Sequence, residues 1–267
     1  MTWIFLAGAF ALGAIVGSFL NVVIHRYPIE ESVVFPPSRC ASCGTLIKPY
    51  DNVPIFAWLW LRGRCRACRE PFSARYPLVE LANALFYTAV FLHTGPTIGF
   101  IVLAALVSMT IVLIYIDLEI QILPDVIDLP GIAIGLGIGA LHIGALVPGL
   151  MVSRTLLESV TGAVAGGGVL LAIALAYKLL RKVEGMGLGD VKMMAMIGAV
   201  VGWEPLLPIF LIASVTGAIV GVIVASRSGE GMQAAIPFGV FLGLAFLFVL
   251  FFGNSFWPAY VELLVVR

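Results

Sequence analysis

Charge is scarce in this chain. Only 11% of its 267 residues are Asp, Glu, Lys or Arg, and 61% are hydrophobic. Soluble domains carry about a quarter charged residues, so this composition excludes one. Lys plus Arg and Asp plus Glu balance at 15 each, which leaves no net charge to attract a polyanion. Nucleic acid is therefore not an expected partner. Histidine is nearly missing. His25, His93 and His142 are scattered, and no Ser-His-Asp arrangement is visible. A soluble-type glycine-rich nucleotide fingerprint is also missing. The N-terminus lacks the basic region of a signal peptide, and its apolar stretch Trp3–Ile24 is long enough to span a bilayer.

What the chain has instead is a series of apolar runs of about 20 residues. They predict an all-α polytopic membrane protein. Helices are expected at 3–24, 77–93, 98–116, 126–143, 156–180, 191–202, 205–225 and 235–252, which makes about eight transmembrane helices. Three segments follow: a first transmembrane helix at 1–24, an insertion at 25–76, and a membrane domain at 77–267. The insertion holds all four cysteines and eight of the fifteen Lys and Arg residues. By the positive-inside rule it lies in the cytoplasm and the N-terminus lies outside. Alternation then places the loops 117–125, 181–190 and 226–234 on the cytoplasmic side as well.

Cys40-Ala-Ser-Cys43 and Cys65-Arg-Ala-Cys68 are two CxxC pairs within the insertion. Four thiolates close a tetrahedral zinc shell, and a two-residue gap lets each pair grip one side of the ion. Gly44 and Gly63 suit the tight turns such pairs need. Two disulfides or a redox pair are the alternatives; a disulfide requires an oxidising compartment, against the basic flank. With four Cys ligands no position stays open for water, so the zinc would be structural.

Two acidic clusters interrupt the apolar pattern. Asp117, Glu119, Asp125 and Asp128 fall around the end of the third expected helix and the start of the fourth. Pro124 and Asp125 suit a helix start, Asp128 lies one turn further, and Glu119 can face water. Asp117 directly follows an apolar run and has no such excuse. The second cluster is the stretch Glu184–Lys192, where Gly185, Gly187 and Gly189 precede Asp190. A glycine-rich loop whose Asp caps the next helix is the plain reading. Alternation puts Asp117 and Asp190 at the same membrane face. Two carboxyls at one depth suit aspartic-protease chemistry: one activates a water, the other holds a proton for the scissile carbonyl. Helix-end fields suggest which does which. Asp117 follows a helix C-terminus and Asp190 opens an N-terminus, so Asp190 would be the general base. A transporter with a carboxylate relay is the rival reading. A relay needs an acid near the membrane midplane, and these acids are interfacial.

The ordered motifs resemble the bacterial type IV prepilin peptidases, members of the GxGD membrane aspartic proteases. The resemblance runs through Gly17–Pro28, Pro37–Gly44, Asp51–Pro54, Leu61–Cys68, Arg75–Glu80, Ile116–Asp125, Gly185–Asp190 and Ile236–Gly239. One departure is Val240, where a second proline is expected after Pro-Phe-Gly; it falls outside the expected chemistry. The resemblance implies cleavage of the basic leader from type IV prepilins or type II secretion pseudopilins, at the cytoplasmic face of the bacterial inner membrane. Lipid surrounds such an enzyme. It also implies N-methylation of the new N-terminus from S-adenosylmethionine. Asp117 and Asp190 would be the catalytic pair, with Gly187 and Gly189 in the catalytic loop. Gly17, Asn21, Arg26 and Glu80 are the candidates for the methyl donor, against packing for Gly17 and helix-end polarity for the other three.

Overall fold

A computed structural model describes residues 2–147, 149–183, 186–228 and 236–265. Its helices, in chain order, are α1 (Thr2–Arg26), α2 (Phe56–Trp60), α3 (Arg75–Thr94), α4 (Ile98–Ile120) and α5 (Asp125–Ala140), then α6 (Ile143–Leu146), α7 (Leu156–Arg181), α8 (Leu188–Val201), α9 (Leu206–Ser228) and α10 (Phe238–Val265). The described residues form no strand beyond two isolated bridges.

A helix occupies each of the eight expected segments. The short α2 and α6 are additions that no 20-residue apolar run could announce. Five described stretches are long and apolar enough to cross a membrane: Trp3–Ile29, Ile98–Ile120, Leu156–Arg181, Leu206–Arg227 and Phe238–Phe256. The chain is thus a multi-pass membrane protein. Helices α5 and α8 have 16 and 14 residues. At 1.5 Å per residue they reach about 24 and 21 Å, short of a hydrocarbon core of about 30 Å. A tally of eight spans therefore goes beyond what these lengths establish.

The chain forms two compact units, Met1–Val112 and Leu113–Arg267. In the first, α1 packs along α3. Contact is close because Gly13 and Gly17 stand four residues apart on one helix face. A Cβ at Gly17 would lie 2.7 Å from the Glu80 Cα, and one at Gly13 equally near the Ala84 Cα. Small residues at this spacing let helix backbones approach where lipid offers no hydrophobic drive for association. Asn83 of α3 spans the contact, donating to the Gly13 carbonyl at 2.7 Å and accepting from Ser108 at 2.9 Å.

In the second unit α8 is the central rod, packed on α5, α7 and α10. Met193, Met196, Ile197, Ala199 and Val200 are wholly buried. Gly162 of α7 meets Gly198 of α8 backbone to backbone, with no room for a side chain on either. The start of α7 is set locally. The Thr155 hydroxyl accepts from the Glu158 N–H at 3.2 Å, and the Glu158 carboxylate accepts from the Arg154 N–H at 2.7 Å. The first bond is an N-cap; the second resembles the return bond of a capping box but goes to the N–H one residue before the cap.

Candidate active site and cysteine module

Asp117 lies in the last turn of α4, which runs three residues past it to Ile120. Its side chain is buried, at 4% exposure. The Val240 N–H donates to Asp117 Oδ2 at 3.0 Å. This amide belongs to the first turn of α10. The first N–H groups of a helix have no partner within it, so they are free to hold an anion. Asp190 sits in the first turn of α8, half-buried, with its carboxyl beside Gly187. Leu123 links the two positions: it stands against Gly189, the neighbour of Asp190, and against Gly239, which adjoins Asp117 Oδ2.

Two expectations change here. Although Asp117 lies near the C-terminal end of its own helix, its carboxyl faces the N-terminus of another. Asp190 also sits at a helix N-terminus, so helix-end fields no longer assign different roles to the two acids. Val240, expected to fall outside the chemistry, is instead a direct hydrogen-bond donor to Asp117.

Leu123 explains two of the glycines. A Cβ on Gly189 would lie 2.8 Å from the Leu123 Cβ; one on Gly239 would lie 2.9 Å from Leu123 Cδ1 and from Asp117 Oδ2. Leu123 is thus a wedge against both glycine positions, and any side chain there would displace it or Asp117. Gly187 is different. Its φ of −71° suits any residue, and the nearest atom to a Cβ would be Asp190 Oδ2 at 3.8 Å. Glu184 and Gly185, where this stretch begins, lie outside the described residues.

The remaining acids of the first cluster separate. Asp125 is exposed at the first position of α5 and pairs with Lys192 of α8 at 2.6 Å, rather than capping its own helix. Asp128 is wholly buried.

In the insertion the four cysteine sulfurs lie within 4.8 Å of one another, with Cys40 and Cys68 at 3.8 Å. A tetrahedron with metal–sulfur bonds of about 2.3 Å has edges of about 3.8 Å, so the sulfurs are spaced for a zinc ion. None forms a disulfide. The two knuckles share one backbone design. Gly44 and Arg69 donate back to the carbonyls of Cys40 and Cys65, and both adopt positive φ, +70° and +64°. The Cys43 thiol donates to the Thr45 hydroxyl at 3.3 Å; its hydrogen bonding with Thr45 holds Cys43 down at about 6, while Cys68 is pushed up to about 12, so one proton is shared unevenly over the cluster. Asp51 takes a forked contact from Arg66, which holds its carboxyl below the usual range.

The methyl-donor candidates divide. Helix packing accounts for Gly17, as above. Asn21, Arg26 and Glu80 line one cavity of about 500 Å³, with Trp58, Phe72 and Tyr76. The Arg26 guanidinium donates to the carbonyls of Ser32 and Pro36 at 2.9 and 2.8 Å. Glu80 Oε2 accepts from the Ile55 N–H at 2.6 Å. This bond pins the insertion to α3 beside Ile55, whose φ of +63° is strained for a β-branched residue. Asn21 donates to the Tyr76 carbonyl at 3.0 Å, while its buried Oδ1 has no partner. Sequence reasoning named Val240 only as a departure from the family motif and passed over Leu123, Asn83 and Trp58 as site residues; Val240 and Leu123 have only an apolar side chain to read.

A model of the bacterial peptidase A24 N-terminal domain matches residues 11–94, and one of the type IV leader peptidase family matches residues 104–222. A prepilin leader peptidase/N-methyltransferase of Aeromonas hydrophila is 37% identical over 279 residues, covering 96% of this chain and 93% of that protein. Proteins of the same description from Burkholderia pseudomallei (strain 1026b) and Pseudomonas putida are each 36% identical; the alignments cover 94% and 97% of this chain and 87% and 95% of theirs. No solved structure matches.

Proposed function

Because the chain belongs to the type IV leader peptidase family, we propose that it cuts the leader from type IV prepilins or pseudopilins and N-methylates the new terminus. The observation that supports the proteolytic half is that Leu123 abuts both Gly189, next to Asp190, and Gly239, next to Asp117 Oδ2. Two carboxyls brought together in one site do not both ionise readily, so they would retain one proton between them. The ionised member takes a proton from water, and the resulting hydroxide attacks the scissile carbonyl carbon. The protonated member donates to the carbonyl oxygen. As the tetrahedral intermediate collapses, the C–N bond breaks, the leaving amine takes the proton gained from water, and a hydroxyl of the intermediate returns its proton to the aspartate that had donated one, so the pair ends with one proton as it began. Helix-end fields do not choose between the two aspartates for these roles.

The amide of Val240 donates to Asp117 in this site. Val240→Pro removes that N–H, while the first turn of a helix tolerates proline. Proline is the residue that the family motif leads one to expect here, so the variant should fold and cut within a few-fold of the parental rate. A loss of about a hundredfold or more would show that this chain relies on the Val240 N–H to hold Asp117.

For the second activity, S-adenosylmethionine would supply the methyl group. The cavity bounded by Asn21, Arg26 and Glu80 is the proposed holder. Its volume and mixed aromatic and polar lining suit a cofactor of that size. The eight long helices would all be embedded in the bacterial inner membrane, with the insertion 25–76 and both aspartates on the cytoplasmic side. Cys40, Cys43, Cys65 and Cys68 would hold a structural zinc.

The test is incubation of purified enzyme with a prepilin, with and without the methyl donor. Cleavage should need no donor, and methylation should appear only with it. Asp117→Ala should methylate a pre-cleaved pilin yet leave an intact one uncut. Loss of both activities in a folded Asp117→Ala enzyme would show a single shared site.

A further inference from the structure

Residues 53–61 of the insertion carry no charge, and α2 forms within them. Phe56, Leu59 and Trp60 are spaced to share one face of that helix. They are 67%, 58% and 83% exposed, a cluster of large apolar side chains on a module otherwise rich in charge. Trp58 lies on the opposite face. It borders the cavity, and its Nε1–H donates to the Phe72 carbonyl at 3.3 Å. What meets the outer face follows from its depth. The Ile55 N–H, at the entrance of α2, donates to Glu80 Oε2 at 2.6 Å. Glu80 in turn lies against Gly17 of α1, where a Cβ would stand 2.7 Å from the Glu80 Cα. Gly17 is seven residues before Ile24, the last apolar residue of its run, or about 10 Å along the helix. An extended Glu arm and one hydrogen bond together reach about 8 Å. Ile55 is therefore held alongside the membrane-spanning run of α1, not beyond its end. Leu78 and Leu81, which flank this level on α3, are exposed as well.

We propose that Phe56, Leu59 and Trp60 sit in the headgroup–acyl boundary of the bilayer, so that α2 is an interfacial anchor seating the cysteine module on the membrane surface. Lipid is the occupant because it surrounds α1 at this depth, and a short helix with one apolar face settles in that layer. Trp favours the same layer, where its ring meets acyl chains and its N–H meets headgroups. The charge fits too. The insertion carries eight Lys and Arg against four Asp and Glu, and exposed Arg62 and Arg64 directly follow α2. Anionic headgroups therefore strengthen the contact. One side of α2 walls the cavity while the other rests on lipid, which holds the cavity at the membrane surface. Neither catalytic activity is required for this contact.

The experiment places the full chain in lipid nanodiscs of phosphatidylethanolamine and phosphatidylglycerol, with acyl chains brominated near the headgroup or left plain. Bromine quenches tryptophan on contact. The emission lost on Trp60→Phe isolates Trp60 from the other four tryptophans. Phe keeps the face apolar, and Trp60 is too exposed for its replacement to disturb the packing. The Trp60 component should fall about twofold or more in the brominated discs, as expected for a ring about 5–10 Å into the boundary layer. If Trp60→Phe does not fold, Leu59→Trp adds a reporter to the same face, and the emission it adds is read in the same way. Aqueous iodide is the second quencher. Absence of bromine quenching overturns the anchor: with iodide quenching the face lies in water, and without it protein, a second copy included, covers the face.

Discussion

Asp117→Asn and Asp190→Asn enzymes are expected to fold normally and to lose leader cleavage by about a thousandfold, the range of a lost acid–base group. Asn matches Asp in shape. At position 117 its carbonyl can still accept the N–H bond of Val240. At position 190 it fits the same half-buried first turn of α8. What neither variant can do is exchange a proton. Because the pair acts as a unit, the double variant should be hardly worse than either single one. Asp125→Asn is the control. Its side chain is exposed and its partner is Lys192, so its loss is that of a surface ion pair, about 0–1 kcal/mol. Full activity in either Asn variant, measured on a purified prepilin, would rule out the aspartic mechanism.

The second large effect concerns the metal. Any of Cys40→Ser, Cys43→Ser, Cys65→Ser or Cys68→Ser should cost the bound zinc and unfold the insertion. A polar module of this size has little core of its own, and zinc binding in such domains supplies on the order of 10 kcal/mol. Among its apolar side chains Phe56, Leu59 and Trp60 are exposed, while Cys40 and Cys65 are buried. The sulfurs thus form part of what interior the module has. Metal analysis should find one zinc per chain in the parent and a marked loss in each variant. Limited proteolysis should then cut within 25–76 first. With the module disordered, Ile55 no longer holds Glu80 and the cavity loses much of its wall, so methylation should fall further than cleavage. A metal-free parent whose insertion resists protease would contradict this.

How much of the site was legible follows from what each residue shows in the string. Asp117 and Asp190 stand out because a charge beside long apolar runs is rare and costly in a membrane. The CxxC pairs stand out because their spacing is a ligand geometry in itself. Val240 and Leu123 act through a backbone N–H and through bulk, and no side-chain chemistry signals either. Asp128 misled in another way. One turn into a helix it reads as ordinary first-turn polarity, and only burial distinguishes it.

By itself the sequence determined the helical segments, the cysteine module and the two acidic positions. These follow from local hydrophobicity, ligand spacing and charge, quantities that depend on near neighbours along the chain. The tertiary structure alone decided what surrounds each group. Helix-end reasoning placed Asp117 in the field of its own C-terminus, yet its carboxyl meets the N-terminus of α10, 123 residues away. A helix end determines the field it creates, whereas packing determines which side chains stand in that field.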